Sequence, residues 1–222
     1  SNFEEISHWE AEKFLDFIQE IGVKEIVIGF NFHFGAHRKG DVGYLRESQK
    51  KRGFSLSVIE PVKIDGDTVN SSKIRDLLKK GDIEKVNRFL GREFSFKGKV
   101  ITGSGRGKRL GFPTANLYLL NRIEIDEGVY AGWVKYGDRF YKGAINIGVC
   151  PTFGGKEKRV EVYILDFKKD IYGEILEVFL LKKIRNETYF HSEKELKERI
   201  KKDVSIVSTI EEIDTDKKRV YT

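Results

Sequence analysis

Phe94-Ser-Phe-Lys-Gly-Lys-Val-Ile-Thr-Gly-Ser-Gly-Arg-Gly-Lys-Arg-Leu-Gly-Phe-Pro-Thr-Ala-Asn116 is the stretch on which the reading of the fold turns. Phe94–Thr102 alternates apolar and polar residues, the period of a half-buried strand. A cationic run follows, in which Gly103, Gly105, Gly107 and Gly111 leave the backbone free to bend and to approach a ligand. Arg106, Lys108 and Arg109 add positive charge beside those open amides, so the run is a candidate phosphate seat. It is not a P-loop, because Gly103 to Gly107-Lys108 is one residue short and Arg109 stands where Ser or Thr is needed. The glycine spacing also fails the dinucleotide fingerprint, and Pro113 argues against a long helix opening there. If Thr114–Asn116 is extended, Thr114 and Asn116 share one face, and their two hard oxygens suit a magnesium–phosphate group. A mobile basic loop leading into an ordinary strand explains the same residues, and chemistry alone does not choose between the two.

Towards the C-terminus the strand pattern repeats. Tyr130–Lys135, Arg139–Val149, Val160–Phe167 and Ile175–Leu181 read as strands, with turns at Gly137-Asp138, Gly154-Gly155 and Tyr172-Gly173. Successive strands with short turns predict an antiparallel sheet or small barrel. From Ser192 the chain turns helical. Ser192 and Glu195 form a capping box, and Leu196, Ile200, Val204 and Val207 form an apolar stripe.

Towards the N-terminus the pattern is different. Ser7 and Glu10 read as a capping box for a helix carrying Phe14, Leu15, Ile18 and Ile21, stopped by Gly22. Glu25–Gly29 reads as a short apolar strand buried on both faces. Phe30–Gly40 is a loop rich in aromatics and cations. Asp41 caps a helix to about Arg52, and Phe54–Pro61 is another strand, with Ser55–Val69 expected to form a hairpin about the Asp65-Gly66 turn. Hydroxyl caps open a helix at Val69–Leu78, and Ile83–Leu90 forms a short helix ended by Gly91. Strand–helix alternation predicts an α/β unit with parallel strands. The expected division is therefore residues 1–91, residues 92–213 and a loose tail over 214–222.

The 222 residues suffice for one large or two small domains. Hydrophobic content of 39% with 34% charged residues describes a globular chain with a highly charged surface. The net charge of +6 favours anionic partners such as nucleotides, phosphorylated substrates or nucleic acid. A single cysteine, Cys150, excludes an internal disulfide, and a reducing cytoplasm fits. No apolar run approaches the roughly 20 residues of a membrane span, and no signal peptide is visible. The sequence contains no methionine and opens on Ser1-Asn2, as a trimmed product would.

Several residues carry candidate chemistry. Glu161 sits in Arg159–Phe167 with Val160, Val162 and Ile164 on the opposite face. A carboxylate there is costly unless paired or used, so it is either a general base or half of an ion pair. His33 and His37 are four apart in a loop with Arg38 and Lys39, better suited to face an anion than to ligate a metal. Ser71, Ser72 and Arg75 open a helix whose free amides either hold an anion or are simply capped. Arg185, Glu187, Tyr189, Phe190 and His191 precede the last helix, where the aromatics either stack on a flat ligand or close the barrel. Cys150 reads as a packing residue, since no histidine is close in sequence to activate it.

Taken together, these segments resemble the bacterial bifunctional riboflavin kinase/FMN adenylyltransferase family, also called FAD synthetase. The resemblance rests on Leu110–Leu117 (Leu-Gly-Phe-Pro-Thr-Ala-Asn-Leu), Gly128–Ala131, Asn146–Phe153, Glu161–Phe167 and Ile171–Gly173, in the family's order and rough spacing, over about Phe94–Ile210. It implies a six-stranded antiparallel β-barrel with a C-terminal helix, transferring the ATP γ-phosphate to the riboflavin 5′-hydroxyl to give FMN. Thr114 and Asn116 would then bind Mg2+ and phosphate, and Glu161 would be the base. Gly103, Gly105, Arg106, Gly107, Lys108, Arg109, Gly111 and Pro113 would cover ATP. Arg185, Glu187, Tyr189 and Phe190 would form a flap over the flavin. Cys150 departs from the Arg or Asn expected before Pro151-Thr152.

The N-terminal part resembles only the back of the family's adenylyltransferase domain, a partial Rossmann-like nucleotidyltransferase α/β fold. Ile26–Gly35 with Arg38–Gly40 is similar to its second motif, and Asn31, His33 and Arg38 fall there. Val69–Arg75 is similar to its Ile-Ser-Ser-Thr-x-x-Arg motif, keeping Ser71 and Arg75 but with Asn70 and Ser72 substituted. The His-x-Gly-His nucleotide motif is absent from the 222 residues, so FAD formation is expected to be weak or absent. A truncated sheet would expose an edge open to self-association. The expected partners are riboflavin or FMN and ATP or ADP, without nucleic acid or membrane. The competing readings are a basic nucleic-acid-binding barrel and a catalytically inactive flavin-binding protein.

Overall fold

The computed structural model describes residues 6, 8–152 and 155–211, with the backbone alone at 150–152 and 155–157. Ser7 of the expected capping box, Gly154 of the expected turn, the Cys150 side chain and the 214–222 tail lie outside the described residues. The chain divides into two compact units, residues 1–69 and 70–222.

The first unit packs two helices on a small sheet. Helix α1 (Ala11–Glu20) is followed by β1 (Glu25–Gly29), then by the β2 (His33–Phe34) and β3 (Gly40–Asp41) pair. Next come α2 (Val42–Arg52), capped by Asp41 through Tyr44 N, and β4 (Ser55–Ile59). Strands β1 and β4 pair in parallel, Glu25 with Ser55 through Gly29 with Ile59, as the strand–helix–strand alternation predicts. Leu15, Ile18, Ile28, Phe34, Leu45 and Phe54 form the core. Strand β1 is not buried on both faces, because β4 is its one partner and Val27 is 59% exposed. Nor do residues 55–69 form a single hairpin. β4 is taken by β1, and the Asp65-Gly66 turn joins only β5 (Lys63–Ile64) to β6 (Asp67–Thr68).

The second unit begins with α3 (Ser71–Lys80) and α4 (Ile83–Leu90). Asn70, rather than a serine hydroxyl, caps α3 by accepting from Lys73 N at 2.8 Å. A closed antiparallel barrel follows. Its strands are β7 (Phe94–Ile101), β8 (Ala115–Leu119), β9 (Gly128–Tyr136), β10 (Arg139–Thr152), β11 (Gly155–Ile164) and β12 (Ile175–Arg185), in the order β10-β11-β8-β7-β12-β9. Closure removes the exposed strand edges that an open sheet would keep. Phe96, Val100, Leu117, Tyr130, Val134, Ile145, Ile147, Val160, Val162, Leu176 and Val178 fill the interior. Burial pushes the Tyr130 phenol up from its usual range, and the hydroxyl donates to the Asp126 carbonyl at 2.7 Å.

The division at residue 69, rather than the expected residue 91, has a packing cause. Leu78, Ile83 and Val86 of α3 and α4 join the barrel's own core. The Asn87 amide donates to Leu180 O and accepts from Phe94 N, each at 2.8 Å, tying α4 to two strands. Two further helices belong to this unit: the short α5 (Arg106–Leu110) and the C-terminal α6 (Glu193–Ser208), which Ser192 caps as expected. Helix α6 covers the outer face of the barrel through Val207, with Ile210 beyond it, against Ala131, Trp133 and Phe179. Asn87→Ala leaves two backbone groups without their partners, at a cost of about 2 kcal/mol. Urea unfolding followed at the barrel should show that loss, with the first unit's transition unmoved.

Candidate active site

The barrel register builds the site. Val160, Val162 and Ile164 point inward, so Glu161 points out. Glu161 lies directly opposite Asn116 on β8 and Asn146 on β10. Directly opposed residues of antiparallel strands share a face, so Asn116, Glu161 and Asn146 form one row on the outer surface. All three are half-buried. Thr114 immediately precedes β8 and is also half-buried. Asn146 was not among the residues expected from sequence to act here, because only the strand register brings it beside Glu161.

Arg159, two residues before Glu161, shares its face. Its Nη2 lies 2.5 Å from Glu161 Oε1 and 3.4 Å from Asn116 Oδ1. Glu161 is therefore ion-paired, and the pair sits in the row that a base would occupy.

The glycine-rich run packs over this row. A Cβ at Gly103 would collide with the Asn116 amide, and one at Gly107 would collide with the Phe112 carbonyl and stand 3.1 Å from Thr114 Oγ1. These two close approaches explain why both positions lack a side chain. The run is not one loose loop. Residues Arg106–Leu110 form α5, flanked by Gly105 and Gly111 with φ of 69° and 89°. Arg109 reaches back to Ser104 O at 3.5 Å. Phe112 packs edge-on to Tyr163 at 5.6 Å, and Pro113 between Phe112 and Thr114 is exposed.

A groove of about 1240 Å³ runs along this side of the barrel. Residues 101–104, 116–126 and 158–160 line it, together with Lys79. Gly103, Asn116 and Arg159 are in its wall, whereas Arg106, Lys108 and Arg109 are not. Lys79 pairs with Glu124 at 3.1 Å and Lys158 with Glu127 at 3.6 Å. Asp126 accepts from Lys183 at 2.6 Å, which holds its carboxyl below the usual range.

The segment after β12 meets the same face at Gly148, which pairs with Arg159 across β10 and β11. A Cβ at Gly148 would collide with the Glu187 carboxylate, so Glu187 is seated where that side chain is missing. Tyr189 is 83% exposed and meets the His191 ring at 5.4 Å. Arg185 is committed elsewhere. Its Nε and Nη2 donate to Asp203 Oδ2 at 2.9 and 2.8 Å, and its guanidinium lies 5.7 Å from the Phe190 ring. Asp203 is only 3% exposed and also meets Arg199 Nε at 3.3 Å. The apolar stripe expected on α6 thus carries a buried carboxylate as well.

The nucleotidyltransferase-like residues fall in both units. In the first unit, His33 Nδ1 lies 2.9 Å from Asn31 O and 3.0 Å from Arg38 Nη2, and all three residues are exposed. His37 and Arg38 adopt left-handed backbone, φ 56° and 59°. In the second unit, Ser71, Ser72 and Arg75 are exposed on the first turns of α3.

A family model described as riboflavin kinase matches residues 90–211, and one described as FAD synthetase matches residues 2–73. The chain belongs to the riboflavin kinase family. A bifunctional riboflavin kinase/FMN adenylyltransferase from Buchnera aphidicola subsp. Acyrthosiphon pisum is 39% identical over 193 residues, covering 86% of this chain and 62% of that protein. The protein of the same description from Buchnera aphidicola subsp. Schizaphis graminum is 38% identical, covering 92% and 67%. The chain thus spans about two thirds or less of these relatives. A solved structure described as a macrolide-efflux protein from Streptococcus pneumoniae superposes with a TM-score of 0.83 at 31% identity, covering 93% of this chain and 67% of that one. No helix among the described residues is long and apolar enough to cross a membrane.

Removing a single partner from a buried ion pair leaves the other charge uncompensated. Asp203→Ala should therefore cost about 3 kcal/mol or more, measured by denaturant unfolding of the barrel.

Proposed function

We propose that this chain is a riboflavin kinase, transferring the γ-phosphate of ATP to the 5′-hydroxyl of riboflavin to give FMN and ADP. The observation that carries this reading is the pairing of Glu161 with Asn116, which lines the groove and lies against Gly103 of the glycine-rich run, with Thr114 two residues before it. Glu161 acts as general base. The riboflavin hydroxyl gives its proton to the carboxylate while its oxygen bonds to the γ-phosphorus, and the electron pair of the breaking bond passes to the β-phosphate oxygen of ADP.

Thr114 Oγ1 and Asn116 Oδ1 are hard oxygens suited to magnesium. No group of three or more His, Cys, Asp or Glu suited to a metal occurs among the described residues; Thr114 and Asn116 would hold a magnesium ion together with nucleotide phosphate oxygens and water. The absence of a Cβ at Gly103 and Gly107 leaves the backbone close enough to cradle that group. The metal would supply charge neutralisation for the phosphates when bound. Gly105, Gly111 and Pro113 shape the cover, and Arg106, Lys108 and Arg109 give it a positive outer surface.

On the flavin side, Glu187 seated at Gly148 brings the 185–190 segment towards Glu161. Tyr189 and Phe190 offer aromatic surface, and Arg185 holds the segment's root through Asp203. The reaction belongs in a reducing cytoplasm. The 222 residues carry no His-x-Gly-His, so this stretch of chain by itself would form little FAD; Asn31, His33, Arg38, Ser71, Ser72 and Arg75 are its residues similar to the adenylyltransferase motifs. The β1–β4 sheet keeps unpaired edges among the described residues, a surface for self-association.

Incubation with riboflavin, ATP and magnesium, followed by chromatography, should give FMN with little FAD. Robust FAD formation would overturn the second statement. Salt-sensitive RNA binding without flavin binding would overturn the first. Glu161→Gln should lower turnover by about two orders of magnitude, and near-normal turnover would remove Glu161 from its role.

A further inference from the structure

We infer that Arg159 is the cation that clamps the transferred phosphoryl group, an inference that rests on the phosphotransfer reading above. Three observations point to it. First, its guanidinium touches both Glu161, at 2.5 Å, and Asn116 Oδ1, at 3.4 Å. It therefore stands between the proposed base and a proposed metal ligand, where the γ-phosphate must come. Second, its side chain is 45% exposed and lines the groove. A guanidinium carries five N–H donors, so donors remain to face an incoming anion. Third, the cations of the glycine-rich run do not line the groove; of those that do, Lys79 and Lys158 are paired with Glu124 and Glu127, and Arg122 lies 4.0 Å from Glu124 with its side chain 90% exposed, whereas Arg159 stands in the Asn116–Glu161 row.

The chemistry follows from competition for Asn116 Oδ1. Arg159 holds the Asn116 amide and the Glu161 carboxylate in line across β8 and β11. Asn116 Oδ1, if taken up as a metal ligand, would release the guanidinium, and Arg159 would turn to the phosphoryl oxygens of the nucleotide, a bidentate acceptor of matching geometry. Once Glu161 has taken the hydroxyl proton, the carboxylate no longer attracts Arg159, and the guanidinium remains with the transferred group. An arginine so placed stabilises charge on the equatorial oxygens of the transition state. This places Arg159 among the catalytic residues, in contact with substrate, rather than as a spacer for Glu161.

Calorimetric titration separates the two roles. Magnesium ADP and the magnesium complex of the β,γ-imido analogue of ATP are titrated into the wild-type chain, Arg159→Gln and Arg159→Lys, with FMN formation measured in parallel. Arg159→Gln should keep its affinity for magnesium ADP and lose about tenfold or more for the γ-phosphate-bearing analogue, the value of a charge-assisted hydrogen bond. Its kcat should fall by about three orders of magnitude. Arg159→Lys should recover affinity more than kcat, because an ammonium is a point charge without the planar fork. Equal weakening of both nucleotides, or kcat near wild type in Arg159→Gln, would overturn the inference and leave the kinase reading standing. A wild-type chain that forms no FMN would overturn the kinase reading itself.

Discussion

The register between β8 and β11 is the constraint on which the site depends. Side chains alternate along a strand, so a slip of one residue would exchange every inward side chain for its outward neighbour. In this barrel the slip would turn Glu161 into the space held by Val160 and Val162 and would expose those valines. The apolar interior thus fixes the position of a polar row that it never touches. Barrel closure strengthens the constraint, because β11 is held on its other side by ten paired positions with β10. The site residues need no packing of their own to be aligned. They inherit alignment from the core beneath them.

Elements outside the barrel serve the same row from two sides. The glycine-rich run approaches over Asn116 and Thr114, which requires missing side chains at Gly103 and Gly107. The segment after β12 approaches over Gly148 through Glu187. Its root is fixed by Arg185 and the buried carboxylate of Asp203, so α6 contributes by anchoring rather than by lining the groove. The three glycines mark the places where separate segments meet the outer face most closely. The groove lysines are paired with acidic neighbours outside the row, whereas Arg159 is paired within it, to Glu161.

Much of this was legible in the sequence, for reasons that also explain the omissions. The alternation of Val160, Glu161, Val162 and Tyr163 reveals a strand with one polar exception, and Thr114 and Asn116 stand two apart before another strand. These are local patterns. Asn146 was not placed in the row because its position there depends on which strands are neighbours, and no local pattern states that. The compact units divide at residue 69 rather than at the expected residue 91 for a similar reason. The apolar faces of α3 and α4 are visible in sequence, but the partner they pack against is not, and Gly91 looked like an end when the helices continue the barrel's core. No local pattern marks Asp203 as buried, because its partner Arg185 lies 18 residues away on β12. The glycine-rich run was expected to approach a ligand; in the structure Gly103 and Gly107 lie close against Asn116 and Phe112, and its short helix was not foreseen.

The central claim is that the Asn116–Glu161 row is where phosphoryl transfer occurs. A crystal structure of the chain with magnesium ADP and riboflavin tests it most directly. The account predicts the ribityl 5′-hydroxyl within hydrogen-bonding reach of Glu161, with the metal on Thr114 and Asn116. Nucleotide or flavin bound away from that row, with Glu161 still paired to Arg159 and touching neither ligand, would contradict it.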